Sequence, residues 1–410
     1  MRKIFFHIQK DHKKFSKLRR HIHANPELAF NETETAKIVA AEMKAYGIAV
    51  TQGVGKTGVV GTLTHGVSSK SIGFRADMDA LPMQELNTFS YRSRNDNCMH
   101  GCGHDGHTAT LLSAAKYLAE TKNFDGTIQF VFQPAEEANK LGSGAKSMIN
   151  DGLFQRFPMD AIFAFHNLPG LEAGAVATRA GPILASMDLF HVEVKAAGAH
   201  AAFPNQGNDP IVIGAALINA WQTIISRHIG SQEQAVISVT SVMTGDSFGV
   251  IPSNICLKGS IRTLDKETQR KIQKRFVSMT ESIVNGYGAS VRIDYENSCP
   301  VLVNSSTETD LVYQAASRVT DEFQLVKNAA AKMGSDDFSF MLQEKPGCYF
   351  WIGNDAISSR STSEESAIDR QEVLAPCMLH EPNYDFNDTI IPIGASIFSS
   401  LAEDILAADK

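Results

Sequence analysis

The sequence predicts an α/β protein in which a mostly parallel central sheet, flanked by helices, is interrupted by a smaller inserted α+β domain. Three observations carry that expectation. Near-continuously apolar runs at Val59–Leu63, Ile72–Ala76 and Ala161–His166 alternate with helical patterns, as strands buried on both faces do. Near Arg179–Pro182 the pattern changes, and Phe190-His191-Val192-Glu193-Val194-Lys195 alternates apolar with polar, as a half-exposed strand does. At about 150 residues per domain, the 410 residues provide for two or three domains with buried cores.

Residues 31–47 read as the first helix, with Asn31 and Glu34 as a capping box, Ala36, Val39, Ala40 and Met43 as its apolar stripe, and Gly47 as its stop. After the strands at 59–63 and 72–76, Leu111, Ala114, Ala115 and Leu118 mark a helix at about 108–120, followed by strands at 127–132 and 161–166. Beyond the change of pattern come a strand at 190–195, an apolar helix at about 209–228, and strands at about 235–243 and 255–263. A charged helix at about 267–285 and a strand at 289–297 complete the run. That order, β-α-β-β-α-β, is the ferredoxin-like arrangement. The expected division is therefore a first domain over 1–182 and 297–410 and an insertion over 183–296. The first domain resumes with helices near 307–323 and 391–408 and the strand Tyr349–Ile352, while 355–376, rich in Ser, Asp and Glu, reads as a polar surface loop.

Composition narrows the function classes. With 43% hydrophobic and 20% charged residues, the chain is neither disordered nor coiled coil. The formal charge of −7 leaves no basic excess for phosphates, so nucleic acid is not expected as a partner. Six cysteines without a Cys-x-x-Cys pair favour a reducing compartment. Ile4–Phe6 is too short for a signal peptide, and no run approaches 18 apolar residues, so a soluble cytoplasmic protein with no membrane partner is expected. The count that stands out is 13 histidines.

The densest chemistry lies at His100-Gly101-Cys102-Gly103-His104-Asp105-Gly106-His107, between a strand and a helix. In an extended backbone His100, Cys102 and His104 share a face, and thiolate with imidazole suits zinc and other borderline divalent metals. Cys98 and His100 are read as bystanders. Glu136 and Glu137 follow a strand through Gln133-Pro134. Pointing in opposed directions, one carboxylate can ligate a metal while the other acts as general base. His166 ends an apolar strand, where sites form in open α/β sheets, and His380 sits among polar turn residues.

These residues amount to a resemblance. The segments RADMDALP (75–82), HGCGHDGHTA (100–109), FQPAEE (132–137), FAFHN (163–167), GAHAAFPN (198–205), GSIRT (259–263), GSDDFSF (334–340) and LHEPNYDFND (379–388) resemble the M20 metallopeptidase superfamily. Within it they are most similar to the amidohydrolase subgroup, which includes hippurate hydrolases, N-acyl-amino-acid amidohydrolases, indole-acetyl-amino-acid hydrolases and N-acetyl-diaminopimelate deacetylases. The resemblance implies a binuclear metal site with two divalent ions per subunit (zinc, manganese, nickel or cobalt) and hydrolysis of a small N-acyl amino acid. It places Cys102, His104, Glu137, His166 and His380 on the metal ligands and Glu136 on the general base. His200 matches a histidine that reaches the active site of the other subunit of a homodimer, and Arg262 a position that holds the substrate carboxylate. The insertion matches the family's lid and dimerisation module. Asp77 and Asp105 are expected to orient metal-bound groups.

Three departures concern the substrate more than the reaction. Gly249 stands where these enzymes usually have Asn before Val-Ile-Pro, Asp336 replaces the Glu of Gly-Ser-Glu-Asp-Phe, and the loop at 355–376 is longer than usual, with a place over the pocket mouth. The competing readings are a dipeptidase of the same superfamily and a non-catalytic metal- or ligand-binding homologue.

Overall fold

The computed structural model describes residues 3–138, 142–320, 324–355 and 377–407. Most of the expected loop at 355–376 lies outside them. The chain divides into two compact units, one from Met1–Gly181, Asn304–Ala330 and Phe340–Lys410, the other from Pro182–Val303 and Ala331–Ser339. The second unit thus runs past residue 296 and takes up 331–339, both expected in the first domain. The reasons are local: β-structure continues to Cys299, the Lys332 amide donates to the Ile183 carbonyl at 3.0 Å, and the Cys299 thiol donates to the Asp336 carbonyl at 3.3 Å.

The first unit opens with α1 (Lys3–Gln9), α2 (His12–Ala24), α3 (Thr33–Ala45), β1 (Ala49–Val54), β2 (Gly58–His65) and β3 (Ser71–Asp77). It continues with α4 (His104–Thr121), β4 (Gly126–Gln133), α5 (Gly144–Asn150), α6 (Leu153–Arg156), β5 (Ala161–Glu172) and β6 (Val176–Ala177). The following stretch holds β7 (Gly181–Leu184), β8 (Ser186–Lys195), β9 (Ala199–His200), α7 (Pro210–Thr223), β10 (Ala235–Met243), β11 (Val250–Ile251), β12 (Asn254–Thr263), α8 (Lys266–Gly286), β13 (Ser290–Cys299) and β14 (Leu302–Asn304). The chain closes with α9 (Ser306–Ser317), β15 (Leu325–Val326), α10 (Phe338–Glu344), β16 (Gly347–Asp355) and α11 (Ile391–Ile405).

In the first unit eight strands form one sheet in the order β1-β2-β4-β3-β5-β16-β6-β15. Its centre is parallel, from β4 through β3 and β5 to β16, because each of those strands is reached by a crossover rather than a hairpin. Every residue of β3 is buried, as expected of a strand covered on both faces. Phe74, Phe165 and Phe350 of the central strands meet Phe398 of α11, and Phe163 lies against Phe74, the closest of these ring pairs being Phe74 and Phe398 at 4.8 Å. Burying each such ring contributes about 2–3 kcal/mol, so this face anchors the ends of the strands from which the site is built.

Three local expectations are corrected. Helix α3 starts at Thr33 rather than 31, and no Asn31–Glu34 capping box forms. Instead the Glu27 carboxylate accepts the Glu34 and Thr35 amides at 3.0 and 2.9 Å, while Asn31 bonds the Ala29 carbonyl. Helix α4 starts at His104, four residues earlier than 108, so the histidine-rich segment is half helical rather than extended. Strand β5 also runs on to Glu172, past His166.

The second unit is a four-stranded antiparallel sheet in the order β10-β12-β8-β13 with α7 and α8 packed on it. Phe190, Val192 and Val194 of β8 and Ile255, Leu257 and Ile261 of β12 point to the helices. There Trp221 and Phe276 stack at 4.6 Å, and the Trp221 Nε1 donates to Thr280 Oγ1 at 2.9 Å. Both helices are capped by aspartates, Asp209 accepting the Ile211 amide and Asp265 the Thr268 amide. Helix α7 ends at Thr223, short of the expected 228, and a π-helical turn follows at Ile224–His228. No helix among the described residues is long and apolar enough to cross a membrane.

Candidate metal centre

Parallel strands that stop at one level leave a crevice beyond their C-terminal ends, and there the polar residues gather. Arg75 of β3 pairs with Ala164 of β5 and Asp77 with Gln133 of β4, so Asp77, Gln133 and His166 come level at the sheet's end. Helix α4 delivers His104 to the same place. Its N-cap Gly103 has φ 93°, and a Cβ there would meet Asn167 Oδ1 at 2.3 Å and Tyr384 Oη at 2.8 Å, so only glycine brings α4 this close.

Among the groups of ligand atoms mutually within 4.8 Å in the described residues are Cys102 with His104 and His166, Cys102 with Glu137 and His380, and His104 with Glu136 and Glu137. His166 Nε2 lies 3.4 Å from Cys102 Sγ, and His380 Nε2 lies 2.9 Å from Glu137 Oε1. The other ring nitrogens are spent on orientation. His104 Nδ1 donates to the Asp79 carbonyl at 2.9 Å and His166 Nδ1 to that of Asn167 at 2.8 Å, which turns each Nε2 inward. His380, at φ 65°, is held by its own amide on the Gly101 carbonyl at 2.8 Å.

The electrostatics ask for a cation. Burial opposes charge on His104, but Asp77, Asp79 and Glu137 outweigh it and push the imidazole up to about 10. Its Nε2 is buried without a hydrogen-bond partner among the described residues, the Asp77 carboxylate lying 3.7 Å away. Burial and then the Glu137 and Glu136 charges hold the Cys102 thiol well above its ordinary range, whereas burial and the His107 charge keep His166 neutral. One thiol, three imidazoles and a carboxylate around an orphaned buried nitrogen fit borderline divalent cations, which would displace the thiol proton.

The neighbouring histidine is not a candidate. His107 Nδ1 faces Asp77 Oδ1 at 2.5 Å and Nε2 faces Asn167 Oδ1 at 2.7 Å, so both nitrogens are engaged. Asp77 also accepts from Arg75 at 2.7 Å, and despite complete burial its carboxyl stays well below the usual range, held first by Arg75 and then by His104 and His107. Asp105 does not orient the ligand cluster. It turns toward α2, accepting from His23 Nδ1 at 2.9 Å and Arg19 at 3.4 Å. His100 is likewise set apart, its ring 6.2 Å from that of His23.

His200 and Arg262 belong to the second unit. His200 is exposed on a two-stranded ribbon in which it pairs with Val250, and its Nδ1 accepts the Ala202 amide at 3.1 Å, leaving Nε2 as the donor. Gly249 serves that ribbon through its carbonyl, which accepts the Ala201 amide at 3.0 Å. Arg262 is half-buried on β12, where its Nη1 donates to the Met333 carbonyl at 3.0 Å and to Ser335 Oγ at 3.3 Å. Asp336 accepts the Phe338 amide at 2.8 Å at the start of α10.

Residues that single-sequence reasoning passed over are those acting through the backbone or across long separations. Asp79 stands in RADMDALP and Asn167 beside His166, yet nothing in their spacing announces that one receives His104 and the other His107. Tyr384 bonds Asn167 from 217 residues away.

Comparison with known proteins agrees with this geometry. Peptidase family M20/M25/M40 matches residues 73–379. The hippurate hydrolase of Campylobacter jejuni is 39% identical over 388 residues, 95% of each chain, and the N-acetyl-L-cysteine deacetylase of Bacillus subtilis is 37% identical over 339 residues, 82% of this chain and 80% of that one. The crystal structure of the Bacillus subtilis YXEP protein, a dinuclear metal binding peptidase from the M20 family, superposes with a TM-score of 0.79 at 29% identity over 98% of this chain and 99% of that one. The chain belongs to peptidase family M20/M25/M40.

Proposed function

We propose that the protein is a metal-dependent amidohydrolase that cleaves N-acyl amino acids to a carboxylic acid and a free amino acid. The observation that carries this reading is the meeting of Cys102, His104, Glu137, His166 and His380 with a further carboxylate, Glu136, beside them. The relatives named hippurate hydrolase and N-acetyl-L-cysteine deacetylase support the substrate class.

Those five side chains would hold two divalent cations, which when bound lower the pKa of water from about 15.7 toward 7 and polarise the amide carbonyl. Glu136 takes the proton from the attacking water and delivers it to the leaving nitrogen, so the carboxylate is regenerated each turnover. His200, donating from Nε2, steadies the oxyanion, a contribution of about 3 kcal/mol for a single donor of this kind. Arg262 binds the substrate carboxylate through the guanidinium N–H groups that its bonds to Met333, Ser335 and Met187 leave over.

The second unit acts as lid and dimerisation module, so the enzyme works as a homodimer in which His200 serves the partner's site. Exposed Phe203, Val242, Met243, Phe248 and Val250 on that unit support an apolar contact between copies. The mixed sulfur, nitrogen and oxygen donors support zinc, manganese, nickel or cobalt, and six cysteines without a disulfide among the described residues support a cytoplasmic location. Assay against a panel of N-acetyl and N-benzoyl amino acids, with and without a chelator, tests the reading. Chelator-sensitive release of free amino acid is expected, and its absence across the panel with each of the four metals would refute it.

A further inference from the structure

Adjacent residues of an extended chain point to opposite sides, yet Glu136 and Glu137 both bring carboxylate oxygens within 4.8 Å of His104. The backbone just before them shows how. Ala135 adopts φ 53°, a left-handed conformation that a side-chain-bearing residue keeps only where its surroundings over-determine it. Three successive amides then face carboxylates: Ala135 donates to Glu32 Oε1 at 2.8 Å, Glu136 to Asp79 Oδ1 at 3.0 Å, and Glu137 to Asp79 Oδ2 at 2.9 Å.

The diversion of Glu32 is the telling part. It stands at the N-cap of α3, where a carboxylate ordinarily accepts the helix's own free amides, but it makes no such bond. Glu27 caps α3 in its stead, and Glu32, completely buried, reaches instead to Ala135, Phe30 and Thr57. On the other side, the Ala135 carbonyl accepts the Gly144 amide at 3.0 Å, and the Ala135 methyl packs with Ala29 and Ala138. Asp79 is joined to the same task twice, since its carbonyl receives His104 Nδ1 while its carboxylate carries the two glutamate amides.

We infer that Glu32 and Asp79 are positioning residues of the hydrolytic site, two buried carboxylates that clamp the left-handed turn at Ala135 so that Glu136 and Glu137 face the same cluster. The inference rests on the assignment of Glu136 and Glu137 above. The two clamps act differently. Glu32 fixes the turn ahead of the base and touches no ligand, whereas Asp79 fixes a ligand carboxylate and a ligand imidazole together.

Three variants separate them from residues that merely support the fold. Glu32→Ala should lower kcat by about 10- to 100-fold, as a misplaced base does, with little change in KM or in Mn²⁺ affinity. Glu32→Gln, which keeps an acceptor for the Ala135 and Phe30 amides, should recover most of that loss. Asp79→Asn sets an amide N–H against a backbone N–H and should weaken Mn²⁺ binding about 10- to 100-fold, measured by titration without substrate. Unaltered kcat in folded Glu32→Ala, or wild-type Mn²⁺ affinity in Asp79→Asn, would overturn the inference. If Glu32→Ala does not fold, the Asp79→Asn titration decides. Failure of the unaltered protein on every N-acyl amino acid would sink the functional reading instead, with the titration still deciding the clamp.

Discussion

Glu136 and Glu137 are adjacent in sequence and chemically identical, so the separate roles proposed for them come from position alone. Glu137 faces His380 and is held below the usual carboxyl range, by that hydrogen bond chiefly, against the cost of burial. Glu136→Gln should therefore keep both cations and lose about 10²- to 10⁴-fold in kcat, checked by metal analysis beside steady-state kinetics. Near-normal turnover would remove Glu136 from the role of base. As candidates, the proposed donors were legible in the sequence because Cys102 and His104, or Glu136 and Glu137, are chemically loud and close together. Glu32 was not, since an acidic residue at the start of a helix reads as a cap, and only the fold shows its carboxylate spent on Ala135.

At the scale of elements, α4 is the pivot of the site. Gly103→Ala would put a methyl 2.3 Å from Asn167 Oδ1 at φ 93°, so a loss of about 1–3 kcal/mol in stability is expected, with weakened metal binding, measured by denaturant unfolding and metal titration. Behind α4, His23 of α2 lies between two carboxylates, Asp105 at 2.9 Å and Glu85 at 3.1 Å. Burial disfavours its charge, but Asp105 and Glu85 prevail and raise it from 6.5 to about 9. Because the folded pKa is the higher one, this stabilisation is complete below about 6.5 and is lost as pH rises through about 9. Unfolding free energy should fall across that window and the slope should flatten in His23→Gln; an equal slope in both would exclude His23 as its source. The types of the expected strands and helices were legible from periodicity, whereas α1, α2 and the start of α4 were not, the last because its first turn is made of glycine, histidine and aspartate, whose low propensity tertiary contacts override.

For the whole molecule, all five candidate ligands lie in the first unit, so cations should raise the unfolding temperature of that unit alone. Calorimetry with and without chelator would show this as one transition that shifts and one that does not. If His200 serves the partner's site, mixing Glu136→Gln with His200→Ala subunits should restore activity that neither has alone, and no restoration would confine His200 to its own subunit. Element order alone made the two-part organisation legible, while the membership of Ala331–Ser339 in the second unit depended on contacts with Ile183 and Cys299 that lie far off in sequence.

The turn at Ala135 also constrains how this stretch can drift over generations. A β-branched residue is barred by the backbone, a larger one by the packed methyls of Ala29 and Ala138, and glycine, though permitted by φ, would leave a void and a looser unfolded-to-folded balance. Alanine thus satisfies shape and conformation together. A descendant that replaces it should be expected to have changed position 32 or 79 as well, or to have given up hydrolysis.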